Sequence, residues 1–280
     1  MQKVEFIIKG ANEKPISIDI RYIENKQRKR IIIFSHGFKG FKNWGHFDII
    51  ADYFAQNGFL FVKYNFSHNG TTAQQLCDFV NLEAFGQNNF SKEINDLSFV
   101  IDYIYNNAND FEGNNNEIYL IGHSRGGGIS ILKAANELRI KKLCTWASIQ
   151  DISYFFQNMD IEKWKIENVA YTFNSRTQQN MPLYYQLYED YLKNKNELDI
   201  TKAAASLSIP WLIIHGTNDN SVSPVMANAL HQINPKSEIL LIEDADHTFG
   251  GKHPWHSENL PIASKILVEK TLLFFTEKYV

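Results

Sequence analysis

The stretch that decides the fold is Glu117-Ile118-Tyr119-Leu120-Ile121-Gly122-His123-Ser124-Arg125-Gly126-Gly127-Gly128. Residues 117–121 form a short apolar run, which reads as a strand buried on both faces. A G-x-S-x-G follows at once, Gly122 to Gly126, and a helical apolar pattern continues over 129–138. Strand, sharp turn and helix around a serine is the setting of a nucleophile elbow, in which flanking glycines leave room for a strained turn that presents the serine Oγ at the sheet edge. The bare pattern arises by chance in about one chain in ten. Its weight therefore rests on what lies on either side.

Upstream, 30–35 and 59–64 are further apolar strands, and 4–9 and 16–22 alternate with period two, as an antiparallel start would. Phe47, Ile50, Ala51 and Phe54 mark one helix face, which Gly58 terminates. Ile94, Leu97, Ile101 and Ile104 mark another, with Ser91 as its N-cap and Glu93 in the first turn. The Asn-rich stretch 106–116 has no periodicity and reads as a loop. Downstream, strands are expected at 142–149, 210–215 and 238–242. A helix starts at Ser223 (N-cap) and Pro224 (N1), and a last helix covers about 261–279. This alternation predicts an α/β fold with a mostly parallel eight-stranded sheet flanked by helices.

One segment breaks the rhythm. About 60 residues separate the strand ending near Ile149 from the one starting at Pro210, too many for a structureless loop. With Phe155, Phe156, Trp164, Tyr171, Phe173, Tyr184, Tyr185, Tyr188 and Tyr191, they read as a mainly helical cap at 151–208, inserted into a core of 1–150 and 209–280.

The 280 residues are 44% apolar and 14% aromatic, with 28 basic against 31 acidic side chains. That excludes a disordered chain, and a net charge of −3 supplies no cationic field for nucleic acid. Apolar runs such as 31–34 and 211–214 fall far short of the ~18 residues that span a bilayer. The N-terminus alternates as a strand does and lacks a signal-peptide pattern. Cys77 and Cys144 have no metal or disulfide spacing and fit a reducing compartment, so a soluble cytoplasmic protein is expected. Lys-Gln-Arg-Lys-Arg at 26–30 reads as a solvated hairpin turn.

A serine hydroxyl needs a base to take its proton and a third group to hold that base. In this type of fold the chain order is Ser, then an acid, then His. Asp219 lies in His215-Gly216-Thr217-Asn218-Asp219, just after the strand at 210–215. His247 lies in Asp244-Ala245-Asp246-His247-Thr248-Phe249, just after the last strand. Both are carboxyl ends of strands, where open α/β sheets place their ligands. Asp151, after the preceding strand, is the competing acid. Ser35-His36-Gly37-Phe38-Lys39-Gly40 supplies an oxyanion loop: the backbone N–H groups of Phe38 and Arg125 would hold the tetrahedral oxyanion, each worth about 3 kcal/mol.

These four motifs, in this order, resemble the α/β-hydrolase superfamily over essentially the whole chain, most closely its dienelactone-hydrolase-like and cinnamoyl-esterase-like enzymes. True dienelactone hydrolases carry a cysteine nucleophile where this chain has Ser124, so the resemblance implies a serine hydrolase cleaving carboxylic esters through an acyl-enzyme. Catalysis is expected from Ser124, Asp219 and His247, with no cofactor and no metal. His253 and His256 read as part of an ordered loop. Phe41, Asn174 and Arg176 are the expected substrate-binding residues, and the aromatic cap points to short or aromatic acyl groups. The expected partner is a small-molecule ester, with no nucleic acid or membrane, and the oligomeric state stays open. Two other readings remain: a peptidase or amidase with the same triad, and a hydrolase-fold ligand-binding protein without turnover.

Overall fold

In the computed structural model, which describes residues 1–277, the strand-like runs assemble into one sheet. Its strands are β1 (Gln2–Lys9), β2 (Pro15–Tyr22), β3 (Lys29–Ser35), β4 (Phe59–Tyr64), β5 (Gly113–His123) and β6 (Ile140–Trp146); after a separate hairpin of β7 (Val169–Asn174) and β8 (Gln179–Tyr184) come β9 (Trp211–Gly216) and β10 (Glu238–Ile242). The sheet order is β1-β2-β4-β3-β5-β6-β9-β10. The β1–β2 and β2–β4 pairs are antiparallel and all later pairs parallel. The helices are α1 (Phe47–Gln56), α2 (Leu82–Gly86), α3 (Phe90–Asn107), α4 (Arg125–Ala134), α5 (Ile161–Glu167), α6 (Gln186–Lys193), α7 (Ile200–Ser206), α8 (Val225–Ile233) and α9 (Ile262–Thr276).

Both sheet faces are covered, which is why the central strands read as continuous apolar runs rather than alternating ones. Ile31, Ile33, Leu120 and Ile118 pack on one side with Leu97, Ile101 and Ile129 of α3 and α4. Their neighbours Ile32, Phe34, Tyr119 and Ile121 pack on the other with Ile50, Phe54 and Leu267 of α1 and α9. Each such fully buried aliphatic side chain contributes roughly 1.5–3 kcal/mol of transfer free energy. Among the described residues no helix is long and apolar enough to cross a membrane.

Several local expectations are corrected. Residues 26–30 do not turn a hairpin, because β2 pairs with β1 and β4 and never with β3. The segment is a crossover, and its Lys29 is buried, with Nζ on Glu112 Oε2 (2.6 Å), Asn25 Oδ1 and the Gln27 carbonyl. The stretch 106–116 is not one loop. It holds the end of α3, a 3-10 turn over Ala108–Phe111 and the start of β5. The N-cap of α3 is Asn89, whose side chain accepts from Lys92 N, and not Ser91. Helix α4 starts at Arg125, straight out of the turn, and not at 129; β6 ends at Trp146; α8 starts one residue beyond Pro224. The last helix ends at Thr276, and the expected extension to Tyr279 lies outside the described residues.

Residues 151–208, between β6 and β9, are not helical throughout. They hold a 3-10 turn (Ile152–Phe156), α5, the antiparallel β7–β8 hairpin, α6 and α7. Val169, Tyr171 and Phe173 alternate with Ala170 and Thr172, which is strand patterning. Trp164 of α5 is buried and its indole N–H donates to the Leu183 carbonyl of β8 (2.7 Å), fastening helix to hairpin.

Candidate active site

Strand β5 ends at His123 and α4 begins at Arg125, leaving Ser124 alone in the turn with φ 57° and ψ −122°. A non-glycine residue at positive φ is strained unless its surroundings hold it. Here Ser124 N donates to the Trp146 carbonyl of β6 (2.9 Å) and Gly127 N donates to the Ser124 carbonyl (3.0 Å). The motif's outer glycines make the turn sterically possible. A Cβ on Gly122 would lie 2.3 Å from the Gly126 carbonyl oxygen, and one on Gly126 would lie 2.4 Å from that of Ser35. The helix can start this tightly against β3 and β5 only without those atoms.

Three side chains converge on the turn. His247, in the loop after β10, places Nε2 3.0 Å from Ser124 Oγ, and its Nδ1 lies 2.7 Å from Asp219 Oδ2, in the loop after β9. The other oxygen of Asp219 accepts from Ser221 N (2.8 Å) and Val222 N (2.9 Å). Burial alone would raise the Asp219 carboxyl. The hydrogen bonds from His215 and His247, with the Val222 amide, instead hold it well below the usual carboxylate range, so it stays ionised. His215 is a partner that the sequence reading missed. Its Nε2 is shared between the Val222 carbonyl (2.9 Å) and Asp219 Oδ2 (3.1 Å). Behind the site His123 donates from Nε2 to the His247 carbonyl (2.9 Å), and burial pushes its pKa down to about 3, so it remains a neutral donor. Asp151 does not reach His247; it caps the following turn by accepting from Ser153 N and Ser153 Oγ, both at 2.7 Å.

Arg125 is the first residue of α4, where an amide has no carbonyl of its own helix to bond. Phe38 lies in the loop after β3, and its ring lines two cavities that meet at Ser124 and His247. The smaller, about 120 Å³, is walled by Trp44, Phe47, His123 and Thr248. The larger, about 290 Å³, is walled by Phe90, Arg125, Ile149, Tyr154, Phe155 and Val222, with Asp151 and Ser221 as polar members.

The expected substrate-binding residues are not on either wall. Phe41 is fully buried, edge-on to Phe79 and His253. Asn174 is buried at the end of β7, where its Oδ1 accepts from Arg176 N. The Arg176 guanidinium lies over the Phe41 and Phe79 rings and binds the Cys77 carbonyl. The three act together, tying the hairpin to residues 77–79, and so their polarity is spent inside the protein. The true wall residues Phe90, Tyr154, Phe155 and Phe47 carry no motif; Phe155 was visible only as one of many aromatics. His253 Nδ1 accepts from Gly45 N (2.9 Å), which fixes its loop beside Trp44.

A family model, BD-FAE, matches residues 18–233. The chain belongs to the BD-FAE family. Its sheet, with the antiparallel start and the serine at a strand–helix turn, is that of the α/β-hydrolase fold. Among its relatives, the BD-FAE chain is 25% identical over 183 residues to the isoprenylcysteine alpha-carbonyl methylesterase ICME of Arabidopsis thaliana, covering 59% of this chain and 41% of that protein. It thus spans less than half the length of the plant methylesterases it matches. It is 24% identical over 265 residues to putative esterase/lipase 2 of Mycoplasma genitalium, covering 85% and 90% of the two chains. Among solved structures, Est1E from Butyrivibrio proteoclasticus shares the BD-FAE chain's fold with a TM-score of 0.67 at 16% identity, over 98% of this chain and 99% of that one.

Proposed function

We propose that this chain is a serine hydrolase that cleaves carboxylic esters. Ser124 Oγ attacks the acyl carbonyl as its proton passes to His247 Nε2; ionised Asp219 keeps the proton on Nδ1 and stabilises the imidazolium. The amides of Phe38 and Arg125 receive the oxyanion. Collapse breaks the bond to the alcohol oxygen, which leaves with the proton from His247. A water then gives a proton to His247 and its oxygen to the acyl carbon, releasing the acid and restoring the Ser124 hydroxyl. The observation that carries this reading is the unbroken chain of hydrogen bonds, 2.7 and 3.0 Å, ending on a serine in strained backbone. The esterase names of the relatives favour an ester over an amide.

In this reading residues 151–208 are a cap, since Tyr154 and Phe155 close one side of the larger cavity. That ring-lined cavity takes the acyl group, and ring contacts favour aromatic or short branched acyls by about 0.5–1.5 kcal/mol each. The unpaired Cys77 and Cys144 fit a reducing compartment such as the cytoplasm. Comparing kcat/KM for acetate, butyrate, hydroxycinnamate and palmitate esters tests the substrate class. The maximum is expected at a short or aromatic acyl group, and a maximum at palmitate contradicts it.

A further inference from the structure

The backbone of Arg125 has a role in the mechanism above, but its side chain has none assigned, although it is charged, only 4% exposed and next to the nucleophile. The guanidinium carbon lies 4.2 Å from the Phe38 ring centre, 4.8 Å from that of Phe90 and 4.5 Å from that of Phe155. Those rings come from three separate parts of the chain: the loop after β3, the start of α3 and the 3-10 turn of the 151–208 segment. They also meet one another edge to face, Phe38 with Phe155 at 5.1 Å and Phe90 with Phe155 at 6.2 Å. A second tie runs in parallel, from Lys39 Nζ to the Phe173 carbonyl of β7 (3.1 Å).

The ion pair at this place is poor. Arg125 Nη1 lies 3.4 Å from Glu93 Oε1, which also accepts from Asn88 Nδ2 at 2.7 Å. Arg125 Nη2 and Glu93 Oε2, both buried, have no hydrogen-bond partner. Burial pushes Arg125 below its ordinary value and Glu93 above its own, each only partly countered by the other. A buried pair this incomplete adds little stability. What the guanidinium does well here is stack, since its flat face suits aromatic rings in a way an ammonium does not.

The rings it holds include that of Phe38, and Phe38 and Arg125 are the two residues whose amides are read as oxyanion donors. We propose that the Arg125 side chain is a positioning residue, which fixes the spacing of the two oxyanion donors by clamping the Phe38 ring against α4 and the 151–208 segment. This rests on the esterase reading of the site. Such a clamp acts when the oxyanion forms and not when the substrate docks. A donor displaced by about 1 Å can cost up to roughly 100-fold in rate.

The test uses the full chain, with active sites titrated by a fluorophosphonate. Arg125→Met keeps an apolar stem and loses the planar cation; Phe155→Leu leaves Arg125 in place and removes the ring on the far side. For each, kcat and KM for an acetate ester, the affinity for methylboronic acid (a tetrahedral adduct on Ser124 with no ring to contact Phe155) and the affinity for acetate are measured. Arg125→Met should lower kcat by about 10–100-fold and weaken the boronic acid by a similar factor. Because Arg125 also walls the larger cavity, KM and product affinity change too, but by a smaller factor; equal losses in all four would show lost acyl binding alone and overturn the proposal. Phe155→Leu should act in the same direction by a smaller factor, and Arg125→Lys should not restore wild-type kcat. A lower melting temperature with kcat per titrated site and boronic acid affinity unchanged would show a merely structural role and overturn the proposal. If Arg125→Met fails to fold, unchanged kcat and boronic acid affinity in Phe155→Leu overturn it equally. If the wild-type chain takes no label at Ser124, the esterase reading fails and this one with it.

Discussion

Asp219 is the residue on which the site's electrostatics converge: two imidazoles and two backbone amides point at one carboxylate. Its task in the proposed mechanism is to fix the His247 tautomer, which a neutral amide of the same shape would do wrongly. Asp219→Asn is therefore expected to lower kcat by about 10⁴-fold. Asp151→Asn should lower kcat far less, because Asp151 does not reach His247 and asparagine keeps an oxygen for the cap and the shape of the cavity wall. Steady-state kinetics on one ester decides between the two acids; full loss in the Asp151 variant beside an active Asp219 variant would reverse the assignment. The three converging residues were legible because each follows a strand and carries a reactive group. His215 was not, since a histidine inside a buried strand gives no sign of which loop will fold back over it. Arg176 misled for a related reason: a polar cluster with Asn174 between aromatics suggested a pocket wall, while Phe41 and Phe79 had already claimed its guanidinium.

The elbow is a property of β5, α4 and β3 together. Gly126→Ala would drive a methyl to 2.4 Å from the Ser35 carbonyl and 2.5 Å from that of His36, both backbone atoms that cannot rotate away. Either α4 or the strand end must shift, costing about 1–3 kcal/mol and displacing the Phe38 loop that follows. Urea unfolding should show the lower midpoint; an unchanged midpoint would mean that the helix is less tightly seated than described. The order of strands and helices could be read from the sequence because apolar runs and helical faces differ in period. The β7–β8 hairpin was hidden because its alternation is inverted: Tyr171 and Phe173, the apolar positions that mark the strand, face outward and not into the core. The crossover at 26–30 was hidden as well. Antiparallel β1 and β2 suggest a meander, whereas β3 joins the sheet on the far side of β4, a choice made by long-range pairing.

Taken whole, the molecule keeps four histidines neutral by burial: the pKa values of His36, His46 and His68 are pushed down to about 4 and that of His123 to about 3. Unfolding releases each to titrate near 6.5, so between roughly pH 6.5 and 4 the unfolded chain binds protons that the folded one refuses. Stability is present above that window and lost as pH falls through it, each histidine costing about 2 kcal/mol at pH 5. Asp96 works the other way. Burial, only partly offset by the amides of Ala11 and Ser67, raises it to about 6, so its protonation on acidification offsets roughly one histidine. Urea midpoints should fall steadily from pH 7 to pH 5, above the range where ordinary carboxylates titrate; a flat profile would contradict this. The proposed mechanism depends on one claim, that Ser124 is a nucleophile activated by His247. The direct measurement is reaction with a fluorophosphonate, followed by mass mapping of the adduct. A single adduct on Ser124, absent in Ser124→Ala, is the predicted result; an adduct elsewhere, or one that persists in the alanine variant, would contradict the account.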